Sequence, residues 1–336
     1  MSNVPTPGRE WAGWTACPRA KQWANCNNQV IAKEAEAKEP MSGIQTSRAL
    51  VRQAGQGSPI APGDWTKSLV RLWLTAASPL RRTAYRWHSQ RLMHGVRAGI
   101  MPRHIGMVLD GNRRFARRAG FSDVTEGHRR GARKVEEVIG WCDELQVPVV
   151  TLWGLSVDNL KRPSDELDGI FQVIGEGLEK FWTGPARRDL KRRIRVVGRT
   201  ELLPVWLQKK IKDVEQETLT AGPWVLNVAL AYGGREEVLN AVRCALLSKA
   251  GRGESVAQIA ESLTTEEIQG HLYTADLPEP DLIIRTSGEI RLSGFLLWQS
   301  VYSELHFCNA TWPALRKIDF LRAIHSYQGR RRRYGR

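Results

Sequence analysis

Three observations predict an α/β fold: a single domain with a mostly parallel six-stranded sheet flanked by helices. Six short apolar runs are separated by stretches long enough to carry a helix. Several of those stretches repeat apolar residues at i, i+3, i+4 and i+7, the spacing of one helix face. Polar clusters rich in Asp, Arg, Ser and Gly follow directly on three of the runs. Strand alternating with helix implies parallel pairing and helices on both faces of the sheet. Polar clusters after strands lie where such sheets bind ligands.

Taken from the amino terminus, residues 1 to about 65 hold Pro, Gly, Gln, Asn and charge without sustained periodicity. They read as largely disordered, despite Trp11, Trp14 and Trp23. From Ser68 to Gly99 the chain turns helical, with Leu69, Leu72, Trp73 and Ala76 on one face and Tyr85, Trp87 and Leu92 after them. Arg71, Arg81, Arg82, Arg86, Arg91 and Arg97 are interspersed. Such a helix packs on its own domain or lies on a membrane surface, and packing is the expected outcome. The expected organisation is an extension over residues 1–77, largely disordered with a basic helical end, and a folded domain over residues 78–336. The strand candidates are Ile105–Leu109, Val149–Leu155, Ile194–Val197, Val225–Leu230, Leu282–Arg285 and a short Leu305–Phe307. Val135, Val138, Ile139, Cys142 and Leu145 mark one helix; Leu167, Ile170, Phe171, Ile174, Leu178 and Phe181 mark another. A last helix runs from about Ile318 to Tyr327, before an arginine run.

Composition excludes several classes. The chain has 336 residues, 42% of them hydrophobic, enough for one or two domains. Its net charge of +15 is unevenly placed: 15 basic against 5 acidic residues up to residue 103, and 35 against 30 beyond. A solvated basic tail explains this better than nucleic-acid binding, with attraction to diphosphates or an anionic membrane surface as an intermediate reading. Cys17, Cys26, Cys142, Cys244 and Cys308 show no metal-ligand spacing and imply reduced thiols in the cytoplasm. No apolar stretch approaches the roughly 18 residues a bilayer span needs, and Met1 to Arg19 lack a signal core. A cytoplasmic protein is expected, at most peripheral at a membrane.

The chemistry concentrates in four segments. Asp110-Gly111-Asn112-Arg113-Arg114 follows the first strand and sets a carboxylate suited to a divalent metal beside arginines suited to phosphate. Asp-Gly alone is also a common turn. Glu126-Gly127-His128 opens a helix, whose free N–H groups suit an anion. Ser156 to Arg162 forms a loop over the ligand edge, closed by Pro163 and a helix start at Ser164-Asp165-Glu166. Arg285-Thr286-Ser287-Gly288-Glu289-Ile290-Arg291-Leu292-Ser293 follows the fifth run. Two phosphate-type clusters on two strand ends imply a site for two phosphorylated substrates.

In order along the chain stand DGNRRFA, EGH, LSVDNLKRP, NVALAYGGR and IIRTSGEIRLSGFLLWQSVYSE. Together they closely resemble the cis-prenyltransferases, the family of undecaprenyl diphosphate synthase, over roughly Ser78 to Arg336. The DDxxD pattern of trans-prenyltransferases is absent. The resemblance implies condensation of isopentenyl diphosphate with an allylic diphosphate, forming a Z double bond and releasing diphosphate. It implies Mg²⁺ on Asp110, and an allylic diphosphate cradled by Gly111, Asn112, Arg113, Arg114 and Phe115 with His128 in support. Arg285, Arg291, Leu292 and Ser293 are the implied isopentenyl diphosphate binders. Ser156, Val157, Asp158, Asn159, Leu160 and Arg162 match the catalytic loop, whose asparagine is often named as proton acceptor. An amide is a poor base, so an orienting role for Asn159 is the better expectation. Glu304 matches a glutamate that reaches Mg²⁺ across a homodimer interface.

Departures from the pattern matter. Arg113 stands where the family commonly has glycine, Leu160 where many long-chain members have tryptophan, and Gly120 to Thr125 lacks a usual arginine, for which Arg113 is the candidate substitute. DGNRR with RLSGFLLWQS resembles the actinobacterial short-chain subgroup, which makes Z,E-farnesyl diphosphate from geranyl diphosphate. An apolar tunnel walled by Val149–Leu155 and by Ile170, Phe171 and Ile174 is expected to set product length. Gly154 opens that wall and favours a longer, lipid-carrier product, whereas the subgroup motifs favour the short one. Non-catalytic partner subunits of this family lose residues that Asp110, Arg113 and Arg114 retain here.

Overall fold

The computed structural model describes residues 78–183 and 192–330. The expectations for residues 1–77 and for the terminal arginine run beyond Arg330 lie outside the described residues. The elements in order are α1 (Ser78–Arg97), β1 (His104–Val108), α2 (Asn112–Arg118), α3 (Thr125–Glu144), β2 (Val149–Trp153), α4 (Ser164–Thr183), β3 (Arg192–Val197), α5 (Val205–Glu217), β4 (Trp224–Ala229), α6 (Gly234–Ala250), α7 (Val256–Ser262), α8 (Thr265–Gln269), β5 (Leu282–Arg285), β6 (Glu304–Phe307) and α9 (Lys317–Gln328). All six strands pair in parallel, in the order β3-β4-β2-β1-β5-β6. The expected sheet is therefore present with all six strands.

The central strands are buried on both faces, so their side chains read as unbroken apolar runs. On one face, Ile105, Met107, Leu152, Leu226 and Ile284 meet Met93 and Val96 of α1, Val138, Ile139 and Cys142 of α3, Ile170 and Phe171 of α4, and Phe320 and Ile324 of α9. On the other, Val108, Ala229 and Ile283 meet Tyr232, Tyr273, Phe295 and Leu296. Helix α1 packs against α9, the expected outcome for that helix.

Four strands start earlier than their apolar runs, and in three of them, β1, β3 and β6, the first residue is polar yet partnered. His104 is fully buried between the Pro278 carbonyl, to which Nδ1 donates at 2.7 Å, and the Thr151 hydroxyl, 2.8 Å from Nε2. Arg192 donates to Asp143 Oδ1 at 2.7 Å and to the carbonyls of Val147 and Pro148. Glu304, which opens β6, pairs with Arg330. An apolar criterion passes over such residues, although a satisfied polar group is an ordinary inhabitant of a core.

Strands β1 and β5 are neighbours, with Val108 opposite Arg285. The chain leaves β1 toward β2 on one side and leaves β5 toward β6 on the other. Their carboxyl ends thus form the switch point of the sheet, the crevice in which open α/β sheets bind ligands.

Candidate active site

Asp110 lies two residues beyond β1, and Gly111 then turns the chain into α2. Gly111 holds φ at 101°, and a Cβ there would stand 2.8 Å from Ser287 Oγ and 2.9 Å from the Thr311 side chain. Only glycine suits both demands. Helix α2 in turn presses on α3: a Cβ on Gly127 would stand 2.2 Å from the Asn112 carbonyl oxygen. Hydropathy does not mark α2, because four arginines in seven residues show no apolar stripe. This short helix sets Arg113, Arg114 and Arg117 along the crevice.

Across the crevice, Thr286 fastens β5 to β1. Its hydroxyl accepts from Asp110 N at 3.1 Å and lies 2.8 Å from the Asp110 carbonyl. The segment beyond it carries Ser287, Ser293 and Leu296 at φ of 80°, 54° and 46°. Non-glycine residues in the left-handed region are strained, and strain gathers where a site requires a fixed geometry.

Asp110 is held from both sides. Arg285 Nη2 donates to its Oδ2 at 2.9 Å, and Arg114 Nη2 to its Oδ1 at 3.2 Å. Arg285, itself buried, also donates to Ser293 Oγ at 2.8 Å and to the Arg291 carbonyl at 2.7 Å. Arg114 reaches Glu289 Oε1 at 3.0 Å, and Arg291 pairs with the other oxygen of that glutamate. On the opposite wall, Glu166 Oε1 lies 3.0 Å from Arg162 Nη1 and 3.4 Å from Arg113 Nε. Burial first, and Arg162 next, push His128 down to about 4, with Glu166 opposing. Its imidazole is neutral near pH 7, and Nε2 has no hydrogen-bond partner among the described residues.

The loop beyond β2 is a 3₁₀ turn, Val157–Lys161, capped reciprocally. Ser156 Oγ accepts from Asn159 N at 3.1 Å, and Asn159 Oδ1 accepts from Ser156 N at 3.2 Å. The Asn159 carbonyl oxygen is thus engaged with backbone, which suits an orienting role. The cap keeps both residues at the rim of the crevice.

A cleft of about 470 Å³ brings together most of the expected residues: Asp110, Gly111, Asn112, Arg113, Arg114, His128, Ser156, Asn159, Arg162, Arg285 and Ser293. Trp153, stacked on Phe295 at 5.3 Å, lines it as well. Beneath it lies a smaller apolar cavity of about 110 Å³, walled by Val135, Leu152, Ile174, Leu178, Val228 and Leu230. Leu109, Asn112, His128, Gly154 and Ile170 line both spaces, so the apolar cavity adjoins the cleft. Phe171, expected in that wall, packs into the core instead.

Other expected residues stand outside the cleft. Phe115 lies under the Arg130 guanidinium of α3, and Asp158 is exposed in an ion pair with Lys161. Val157 does not line the cleft, and Leu160 packs on the core. Leu292 packs on the aromatic cluster, and the Arg291 side chain is largely exposed. Glu304 begins β6 at the amino end of the sheet, opposite Leu282, whereas Asp110 lies beyond the carboxyl end of β1. Within one chain the two do not meet. Glu166 and Glu289 were missed: both read as ordinary helix-start or loop charges until the fold sets them between arginines.

Among the described residues, no group of three or more His, Cys, Asp and Glu side chains is placed to hold a metal ion. One carboxylate facing a phosphate-type cradle does fit Mg²⁺, which binds through one or two carboxylates and the substrate's own phosphates.

The sequence model of the prenyltransferase family described as undecaprenyl diphosphate synthase matches residues 108–335. An isoprenyl transferase of Thermus thermophilus is 47% identical over 268 residues, 80% of this chain and 100% of that protein. A (2Z,6E)-farnesyl diphosphate synthase of Thermobifida fusca is 47% identical over 256 residues, 76% of this chain and 98% of its own. Among solved structures, lavandulyl diphosphate synthase from Lavandula x intermedia, in complex with dimethylallyl diphosphate, aligns with a TM-score of 0.64 at 29% identity. That match covers 70% of this chain and 99% of the lavender enzyme.

Proposed function

Because the chain belongs to the undecaprenyl diphosphate synthase family of isoprenyl transferases, we propose that it condenses isopentenyl diphosphate with geranyl diphosphate. The allylic C1–O bond breaks as diphosphate leaves, and a carbon–carbon single bond joins that C1 to C4 of isopentenyl diphosphate. Loss of a C2 proton leaves the Z double bond of the product, Z,E-farnesyl diphosphate. The observation that carries this reading is an arginine-lined cleft that shares a wall with a small apolar cavity. The apolar part is small beside the roughly 300–1,000 Å³ of ordinary ligand pockets, which supports a short hydrocarbon tail. The name of the Thermobifida relative supports the same product. Gly154, at the junction of the two spaces, favours the second reading of a long-chain lipid-carrier synthase.

Ionisation of an allylic diphosphate builds negative charge on the leaving group. Arg113, Arg114 and Arg162 surround the space next to Asp110 where that charge would develop, and each donor so aimed lowers the barrier by about 3 kcal/mol. Arg285, Ser293 and the neighbouring Arg291 are assigned to isopentenyl diphosphate. His128, neutral and without a partner on Nε2, can donate to or accept from a phosphate group. Asn159 orients, and diphosphate or water receives the proton. Asp110 would hold Mg²⁺ together with substrate oxygens, and the metal would neutralise charge on the departing diphosphate. We assign Glu304 to the site of a partner subunit in a homodimer. The catalytic unit is taken as residues 78–336, with residues 1–77 as an extension.

Among the described residues no helix is long and apolar enough to cross a membrane. A cytoplasmic protein with peripheral membrane contact through α1, whose exposed face carries Arg86, Trp87 and Arg91, fits this reading.

The test is product analysis: the purified chain with Mg²⁺, labelled isopentenyl diphosphate and, separately, geranyl or farnesyl diphosphate. A farnesyl-length product made preferentially from geranyl diphosphate is expected. A ladder of long products would transfer the assignment to the lipid carrier, and absence of incorporation would sink the enzymatic reading.

A further inference from the structure

The arginines of the cleft are not equivalent. Asp110 bridges Arg285 and Arg114, Glu289 bridges Arg114 and Arg291, and Glu166 bridges Arg162 and Arg113. Each of these guanidiniums therefore already has a carboxylate partner. Arg117 lines the same cleft one helical turn beyond Arg113, and it makes no hydrogen bond or ion pair with any described residue through its side chain. Five arginines line the cleft (Arg113, Arg114, Arg117, Arg162 and Arg285), against Asp110 as the one lining carboxylate. Even with Glu166 and Glu289 counted in, an excess of positive charge remains.

Paired and unpaired arginines behave differently toward an incoming anion. A guanidinium fixed between carboxylates must share its donors with them. An unpaired one offers its whole fork to a phosphate, and it gives up no protein contact in doing so. Arg117 is exposed, so it is reachable by a substrate still in solution. From Ala119 to His128 the chain has no further Lys or Arg, so Arg117 and Arg118 are the last cations before Arg129. Of these two, Arg117 alone faces the cleft.

We propose that Arg117 is the capture residue for the allylic substrate, its guanidinium binding the outer phosphate of the diphosphate that enters along α2. The identity of that substrate rests on the function proposed above; the role of Arg117 as an anion ligand rests on the cleft alone. Arg113 and Arg162 stay tied to Glu166 until substrate arrives, and Arg117 makes the first contact. Being exposed, that contact weakens with ionic strength.

The test compares steady-state kinetics of the full chain with those of Arg117→Gln, Arg117→Lys and Arg118→Gln. In Arg117→Gln, KM for geranyl diphosphate should rise about tenfold, the loss of one charge-assisted contact, while kcat and KM for isopentenyl diphosphate stay within about twofold. Arg117→Lys should recover part of the loss, since it keeps the charge without the fork. Arg118→Gln should match the parent chain. The salt dependence of KM for geranyl diphosphate should flatten in Arg117→Gln alone. An equal rise in both KM values, a fall in kcat at unchanged KM, or unaltered kinetics would each overturn the proposal. If the parent chain turns over no allylic diphosphate, the functional reading fails instead. Calorimetric binding of inorganic diphosphate then decides for Arg117: weaker binding in Arg117→Gln but not in Arg118→Gln upholds it, and equal binding rejects it.

Discussion

Asp110 has an arginine on each carboxylate oxygen, and Arg285 would be left without a carboxylate partner if Asp110 were neutralised, whereas Arg114 keeps Glu289. Asp110→Asn should keep the fold while removing both the charge proposed to hold Mg²⁺ and the alignment of Arg114 and Arg285. We expect kcat/KM to fall by about 10²–10³, as when one transition-state contact is lost. Single-turnover rates at saturating substrate check this; a loss confined to KM would show that Asp110 only binds. At this scale the sequence was informative where chemistry is local. Asp110, Gly111 and Arg114 are adjacent, and a carboxylate beside arginines after an apolar run reads as a phosphate site. Glu166 and Glu289 could not be read so, because what distinguishes them is their neighbours: Glu166 meets Arg113 from a helix more than fifty residues earlier.

Between β4 and α6, Tyr232 joins the two halves of the cleft. Its backbone pairs with Leu155 and Val157, at the start of the Ser156–Arg162 loop. Its hydroxyl donates to Glu237 and accepts from Leu296 N at 3.1 Å, three residues beyond Ser293. Glu237 also takes Tyr273 N and Gln299 Nε2, both at 2.9 Å, and burial raises its carboxyl above the ordinary range. Tyr232→Phe leaves Leu296 N–H and one Glu237 oxygen without a partner, at about 1–3 kcal/mol. Denaturant midpoints should fall accordingly. KM for isopentenyl diphosphate should rise more than KM for geranyl diphosphate, because the segment that loosens carries Ser293 and Arg291. Equal changes in both would count against this account. The elements themselves were largely legible: six apolar runs became six strands, and the periodic helices stand where their stripes lie. Helix α2 and the polar first residues of strands escaped, since packing and partners, not hydropathy, fix them.

Across the whole molecule, acid stability should depend on buried histidines. Burial lowers His104 to about 4 from 6.5, outweighing the Pro278 carbonyl and Asp281, which raise it. Below pH 6.5 the unfolded chain takes up a proton there that the folded protein refuses until about pH 4, so stability falls as pH drops through that window and is unaffected above it. One such group accounts for about 3 kcal/mol at most. Chemical denaturation at pH 5 and pH 7 measures the slope, and His104→Gln should remove one proton's share of it; an unchanged slope would refute the assignment. The sequence by itself determined the strand-helix alternation, the family, and the placement of an acidic and two arginine-rich clusters at strand ends, because hydropathy period and turn chemistry are properties of neighbours along the chain. Only the tertiary structure decided that β1 lies beside β5, that Arg285 reaches back 175 residues to Asp110, that three carboxylates each bridge two arginines, and that Arg117 is left without one among the described residues. Strand order is set by how whole faces bury against one another, and charges distant in sequence acquire partners only when that burial is complete.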